Sequence, residues 1–350
     1  MVIGPRRIEE VEEIGGALPR SRQDVVLFPA FVNAHSHMGD AFIERVPPGL
    51  SVAQLVGPKN GLKSRMLAST VPSVKASGMA IYLRAARAAG ISRTIDFREE
   101  GVPGMRMARD AVTGLESSGE PPLRPFLLAR PAEGETLRSV IREADGLGLS
   151  SARDVPPGTA GRWAAQAHRA GKPLALHVSE GRREDIAAVL RLRPSLLVHL
   201  CRASRSDLEQ VASARVPVAV CPRSNAYFGL KSPVRAMLDL GIRVCLGTDN
   251  AMLATPDLLE EARLLAADKR AQVSAKEAIA AAILASQNLL LPRVEEGMQA
   301  GSRGELLVVK LSRPTLERVL RLRLSTHPHG HLGPFRTIGP PGGPERRSRR

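Results

Sequence analysis

The chain has 350 residues, 43% of them apolar and 3% aromatic, and a formal net charge of +15. That length suits one barrel-sized domain with a small appendage, and the apolar share supports an aliphatic core without disulfides or a structural metal. No apolar stretch is long enough to span a bilayer and the charged N-terminus MVIGPRRIEEVEEIGG lacks a signal-peptide core, so a cytoplasmic protein with no membrane partner is expected.

The charge is unevenly spread. From Arg318 onward eight arginines face Glu345 alone, so roughly half of the excess lies in a basic tail, which reads as solvated and not as a nucleic-acid surface. Cys201, Cys221 and Cys245 are odd in number and sit in apolar, strand-like runs. They read as reduced, buried thiols, not as a disulfide framework or a CxxC metal site.

In chain order, β-type runs are predicted at 25–33, 93–97, 123–129, 146–151, 173–178, 195–200, 216–221 and 243–248. Helical patterns separate most of them, several ending in Gly, as helix C-termini often do. Near-continuous apolar strands alternating with helices predict an α/β fold of the (β/α)8 TIM-like barrel type, over 25–299. The first crossover, about 38–73, is unusually long and reads either as a functional lid or as a disordered loop. Two further helical runs follow the eighth strand, then ELLVVKL at 305–311 as an isolated strand. The stretches 1–24 and 300–316 are assigned to a reduced accessory β-sandwich, and 317–350, rich in Pro, Gly and Arg, to a tail without regular structure.

Of the eight histidines, His327, His329 and His331 lie in that tail, and His168 lies on a polar helix end where a surface role is expected. The remaining four end strands. His35 and His37 sit two apart in extended structure, so both side chains share one face. His177 ends PLALHV, His199 ends SLLVHL and Asp249 ends RVCLGTD, so five candidate ligands gather at C-terminal strand ends, where barrel enzymes build their active sites. Three imidazoles and a carboxylate suit one divalent ion, Zn²⁺ first, with Fe²⁺ or Mn²⁺ alternatives, and such an ion lowers the pKa of a bound water toward neutrality. Glu180, three residues after His177, reads equally as a proton shuttle or as the acidic start of the next helix. Arg98 and Arg130 follow the second and third strands, where they either bind a substrate carboxylate or phosphate or pair with rim carboxylates such as Glu99, Glu100 and Asp40. Asn225 and Asp40 are further candidates for the substrate pocket.

FPAFVNAHSHMGD, HVSE, VHL, VAVCPRSNAYFGLKSPVRAMLDLGIRVCLGTDN and AAILASQNLLL together resemble the amidohydrolase superfamily, in its cytosine deaminase-like and chlorohydrolase-like branch. The resemblance covers roughly residues 25–311. It implies a single catalytic metal held by His35, His37, His177 and Asp249. His199 would contact the attacked group or the metal-bound water, and Glu180 would shuttle a proton to a ring nitrogen. Binuclear relatives carry a bridging lysine after strand four, where this chain has Ser150 and Ser151, so a mononuclear site is expected. The implied reaction is hydrolytic deamination of an amino-substituted nitrogen heterocycle resembling a nucleobase or nucleoside, with Glu180, His199 and Asp249 as catalytic residues. Hydrolysis of a cyclic amide or halogenated ring on the same site is the alternative within enzymes, and a non-catalytic scaffold or nucleic-acid-binding barrel is the alternative outside them. The short accessory segments leave room for a homo-oligomer.

Overall fold

The computed structural model describes residues 2–3, 8–10, 24–57, 60–120, 123–284, 306–311 and 335–338. The chain opens with β1 (Val2–Ile3), β2 (Ile8–Glu10), β3 (Asp24–Pro29) and β4 (Phe31–His37). After a single 3-10 turn at Met38–Asp40 come α1 (Val52–Val56), α2 (Leu62–Ser69) and α3 (Pro72–Ala88). Then strands and helices alternate: β5 (Ile91–Arg98), α4 (Gly101–Ser117), β6 (Phe126–Ala129), α5 (Leu137–Glu143), β7 (Gly146–Leu149), α6 (Thr159–Arg169), β8 (Leu174–Val178), α7 (Ile186–Arg191), β9 (Leu196–His199) and α8 (Arg205–Ala214). They are followed by β10 (Val218–Val220), α9 (Pro222–Tyr227), α10 (Val234–Asp239), β11 (Val244–Leu246), β12 (Asp249–Asn250), α11 (Leu258–Ala267), α12 (Ala275–Leu284), β13 (Leu306–Leu311) and β14 (Phe335–Ile338).

Nine strands form one parallel sheet in the order β11-β10-β9-β8-β7-β6-β5-β4-β12. Its two ends are consecutive in sequence, because β12 begins three residues after β11 ends. The eighth barrel strand is therefore one strand broken at Gly247–Thr248: Gly247 N still donates to Val220 O on one side, and Thr248 N already donates to His35 O on the other. The sheet closes by this hand-over into a (β/α)8 TIM-like barrel. A Cβ on residue 247 would come within 2.7 Å of the His35 Cβ, so only glycine fits where the closing strand crosses the first.

Short aliphatic residues fill the barrel interior: Val32, Ala34, Ile95, Leu128, Ala175, Leu196, Val198 and Ala219 cluster with Phe97, Cys221 and Cys245. A larger apolar layer packs the outer face of the sheet against the helices. Burial pushes the Cys245 thiol up to about 12 and the Cys221 thiol well above the ordinary value, consistent with inert core cysteines.

Two local features differ from the sequence reading. The run 25–33 splits at Ala30 into β3, which leaves the barrel, and β4, which starts it. β3 pairs antiparallel with β13, and β13 pairs parallel with β14, in a separate three-stranded sheet. Of its strands, β13 lies within the stretches expected to form the reduced sandwich, whereas β3 comes from the run expected to open the barrel. The strand β14 falls inside 317–350, where no regular structure was expected; Phe, Thr and Ile in FRTI are strand-forming residues that a Pro- and Gly-rich composition masks. The rest of that tail, with His327, His329 and His331, lies outside the described residues, as does the end of AAILASQNLLL. Among the described residues no helix is long and apolar enough to cross a membrane.

Candidate metal centre and active site

β4 brings the first two candidate ligands into the cavity by a bulge. Val32 and Ala34 belong to the interior cluster, and yet His35 and His37, of opposite parity, also point inward. Between Asn33 and Ser36, β4 carries one residue more than the facing stretch Thr94–Asp96 of β5. The extra residue changes the face, as bulges beside active sites do. Asn33 turns outward and ties β4 to the closing strand, donating to Thr248 Oγ1 at 2.7 Å and to the Tyr82 hydroxyl at 2.9 Å.

The side chains of His35, His37, His177 and Asp249 converge. His37 Nε2 lies 3.1 Å from His177 Nε2, His177 Nε2 lies 3.2 Å from His35 Nε2, and Asp249 Oδ1 lies 3.1 Å from His35 Nε2 and 3.6 Å from His37 Nε2. His37 Nδ1 faces two acceptors, Glu99 Oε1 at 2.7 Å and Phe97 O at 3.1 Å, and His177 Nδ1 faces Leu149 O at 3.0 Å. Both Nδ1 atoms therefore carry the proton, and each ring turns a lone pair toward the other. Lone pairs that close repel unless a cation lies between them. Nitrogen ligands about 2.0–2.1 Å from a tetrahedral Zn²⁺ lie roughly 3.4 Å apart, so the donor set fits a divalent ion. Burial pushes the His35 imidazole down to about 3 and the His177 imidazole well below its ordinary value, which keeps both in the neutral, ligating form. Burial works against an ionised Asp249, but its hydrogen bond with His35 and the surrounding imidazoles hold it well below the usual carboxylate range.

Beside this cluster stand Glu180 and His199, with Glu180 Oε1 at 3.9 Å from His199 Nε2. His199 Nδ1 bonds to Asn225 Oδ1 at 3.0 Å, so the expected pocket residue Asn225 acts on the imidazole. Asn225 is itself held by Ser232, which also donates to His199 O. Burial raises the Glu180 carboxyl, against the pull of His199. The backbone turns left-handed where these side chains leave their strands: φ is 50° at Ser179, 74° at His199, 54° at Leu200 and 59° at Asp249. Non-glycine residues rarely adopt such angles, and they gather where a site stores backbone strain.

Arg98 and Asp40 do not behave as substrate ligands. The Arg98 side chain is fully buried, with its guanidinium on Asp96 Oδ2 at 3.2 Å and on Glu99. It lies so close to Gly39 that any Cβ there would overlap it. This is the rim-carboxylate pairing that the sequence left open. Asp40 is buried, accepts from Met252 N at 3.0 Å and pairs with Lys63 at 3.0 Å. Arg130 does line the cavity. His168 on α6 bonds Leu192 O, far from the ligand set in the chain's architecture.

Lys63, Ser224 and Glu184 escape the sequence reading, as does the grip of the rim carboxylate Glu99 on His37. Lys63, on α2 in the long crossover, reaches Glu99 Oε1 at 2.5 Å, Asp40 and Asn250 Oδ1. Burial alone would weaken its charge, but Asp40 and Glu99 overcome this and raise it. Burial also disfavours an ionised Glu99, yet Lys63, His37 and Arg98 hold it well below the ordinary value, so it grips the His37 Nδ1–H as a carboxylate. Ser224, on α9, donates to Asp249 Oδ2 at 2.5 Å. Glu184 accepts from Ser179 N at 3.0 Å and from Ser151 Oγ at 2.7 Å, fastening the turn that carries Glu180. A carboxylate two residues past a strand end, as in FREE, was a usable signal for Glu99; nothing local marks Lys63.

These groups open into a cavity of about 570 Å³. Helices α1 and α2 of the crossover form part of its wall through Val52, Val56, Lys63 and Leu67, with Phe228 and Leu230 adding apolar surface after α9.

The family model "Amidohydrolase family" matches residues 26–284. A protein named "Putative aminohydrolase" from Methanothermobacter thermautotrophicus is 34% identical over 254 residues, covering 68% of this chain and 66% of its own length. The chain thus spans just under two thirds of that relative. A 5-methylthioadenosine/S-adenosylhomocysteine deaminase from Pyrococcus furiosus is 32% identical over 121 residues, 29% of each protein. An adenosine deaminase structure from Xanthomonas campestris with bound zinc shares the fold, with a TM-score of 0.65 at 18% identity, over 88% of this chain and 75% of that one. With the matched segment running from β3 to the end of α12, the chain belongs to the amidohydrolase family.

Proposed function

We propose that the protein is a metal-dependent hydrolytic deaminase of an amino-substituted nitrogen heterocycle, working in its family's manner on a C–N bond that is not a peptide. The observation that carries this reading is Glu180, a half-buried carboxyl raised above its ordinary value by desolvation, 3.9 Å from His199 and beside a converging His35–His37–His177–Asp249 set. An acid whose carboxyl is raised by burial, next to a cluster able to hold a metal ion, suits delivery of a proton to a ring nitrogen. The names of the relatives, an aminohydrolase and a deaminase, agree with it, and zinc in the adenosine deaminase structure favours zinc over iron or manganese.

His35, His37, His177 and Asp249 would hold the ion, which when bound supplies Lewis acidity and a water activated near neutral pH. Asp249, kept ionised and steadied by Ser224, takes the first proton of the attacking water. Glu180 gives its proton to the ring nitrogen next to the attacked carbon. His199, whose Nδ1–H is held by Asn225 Oδ1, turns its Nε2 lone pair to the attacking water and orients it by accepting its remaining O–H. On collapse the Asp249 proton passes to the departing amine, released as ammonia, and the hydroxyl proton returns to Glu180. The ring keeps the nitrogen-bound proton and gains a carbonyl, so atoms and protons balance.

The test is ammonia release from a panel of amino-substituted purines, pyrimidines and pterins by protein carrying one equivalent of zinc. Ring-opened products without ammonia would transfer the protein to cyclic-amide hydrolysis, and full activity in Glu180→Gln would remove the proton-donor role.

A further inference from the structure

We infer that the substrate carries a dianionic phosphate group, bound at the cavity mouth by Arg130, Arg182 and Arg202. The inference rests on the deamination reading for its heterocycle and stands apart from it for its anion.

The three arginines leave from three loops on the active face. Arg130 directly follows β6, Arg182 lies in the turn after β8, and Arg202 lies in the turn after β9. All three line the cavity that contains Glu180 and Asp249. The last two loops are tied together by Arg202 N donating to Ser179 O at 2.7 Å, so the guanidiniums flank the segment that carries Glu180. Arg182 and Arg202 are exposed and Arg130 half-buried.

The other cations of the cavity are committed. Lys63 and Arg98 are closed by Asp40, Asp96 and Glu99, and Arg153 meets Glu184 Oε2 at 3.2 Å. Arg130, Arg182 and Arg202 have no ion-pair partner among the described residues. The lining acids left over are Glu180 and Asp249, both part of the chemistry, and Asp154, which has no ion pair among the described residues. Three guanidiniums against one carboxylate leave a mouth charge of +2, which matches a phosphate dianion and exceeds a single carboxylate. Guanidinium forks present paired donors to phosphate oxygens. A cavity of 570 Å³ lies within the ~300–1,000 Å³ of sites for drug-sized ligands and has room for a ring and a charged tail together. Val52, Val56, Phe228 and Leu230 offer the ring an apolar wall.

Calorimetric titration of the zinc-loaded protein with phenyl phosphate and with phenylacetate at pH 8 tests this. Phenyl phosphate should bind at least tenfold more tightly than phenylacetate and lose affinity with added salt. Arg130→Met, and separately the exposed pair Arg182→Met with Arg202→Met, should each weaken phenyl phosphate about tenfold. Equal affinity for the two probes overturns the phosphate assignment. So does the absence of phenyl phosphate binding, or binding unchanged in both variants, which would mean an anion sitting on the metal alone. Arginine-dependent phenyl phosphate binding without ammonia from any heterocycle would sink deamination and leave this inference standing. Ammonia from neutral heterocycles with arginine-independent phosphate binding would do the reverse.

Discussion

The deep end of the cavity and its mouth are built from the same residue types to opposite ends. At the deep end, Lys63 and Arg98 are buried among Asp40, Asp96 and Glu99, and each cation touches at least two of these carboxylates. At the mouth, Arg130, Arg182 and Arg202 line the same space with no partner among the described residues. A buried ion pair mainly fixes geometry, since desolvation consumes most of its attraction. An unpaired surface guanidinium keeps its donors for a ligand. Pairing, not charge or proximity, separates a cation that positions a metal ligand from one available to substrate.

The largest expected effect breaks the deep end at its centre. Asp249→Asn removes a ligand and the first proton acceptor together, while Ser224 and Asn250 still hold the side chain in place. Turnover should fall about 10⁴-fold or more, and bound zinc, measured by elemental analysis, should drop below one equivalent. If Glu180 is the proposed proton donor, Glu180→Gln should lower kcat by ~10²–10⁴-fold at unchanged zinc content, because Glu180 lies outside the four-residue set. Loss of zinc in Glu180→Gln would make the two carboxylates one functional unit and erase that distinction.

A pair of substitutions tests the two ends directly. Lys63→Met leaves Asp40 buried without its cation and Glu99 with Arg98 alone, and should cost ~3–5 kcal/mol in denaturant unfolding. Arg182→Met at the mouth should stay within about 0.5 kcal/mol of wild type. Similar losses at both positions would mean that the mouth arginines are structural after all.

The convergence of the candidate ligands was legible in the sequence because barrel topology is periodic. Once eight β-runs are aligned, His35, His37, His177, His199 and Asp249 fall at the same end of their strands, and that regularity needs no tertiary detail. Lys63 could not be found this way. It sits on a short helix in the crossover and reaches Glu99 and Asn250 only because the loop folds back as a wall of the cavity. Arg98 illustrates the opposite case: its position after β5 was legible, but its direction depends on whether Asp96 and Gly39 leave room for it in the wall. The bulge in β4 was hidden too. Simple alternation along FVNAHSH puts Ala34 and His35 on opposite faces, and only the register against β5 reveals that both point inward.

The last effect is confined to pH dependence and concerns a second buried pair. Glu261 on α11 accepts from Arg223 N at 2.9 Å and Arg223 Nε at 2.7 Å, anchoring α9, which carries Ser224 and Asn225. Burial raises the Glu261 carboxyl to about 7, against the pull of Arg223. The folded state therefore holds a proton that the unfolded chain has released above about 4.5. Its contribution to stability is full below the unfolded value, and it is lost as pH rises through the folded value of about 7. Glu261→Gln has no proton to release, so the stability difference, wild type minus variant, should decline across pH 4.5–7, by on the order of 1 kcal/mol per pH unit at most. Taking the difference between denaturation curves cancels the titration of the other groups. A difference that instead grows with pH would show that the ionised Arg223–Glu261 pair outweighs its desolvation. Glu261 would then resemble Glu99 at the deep end of the cavity, a buried carboxylate kept charged by the cations around it.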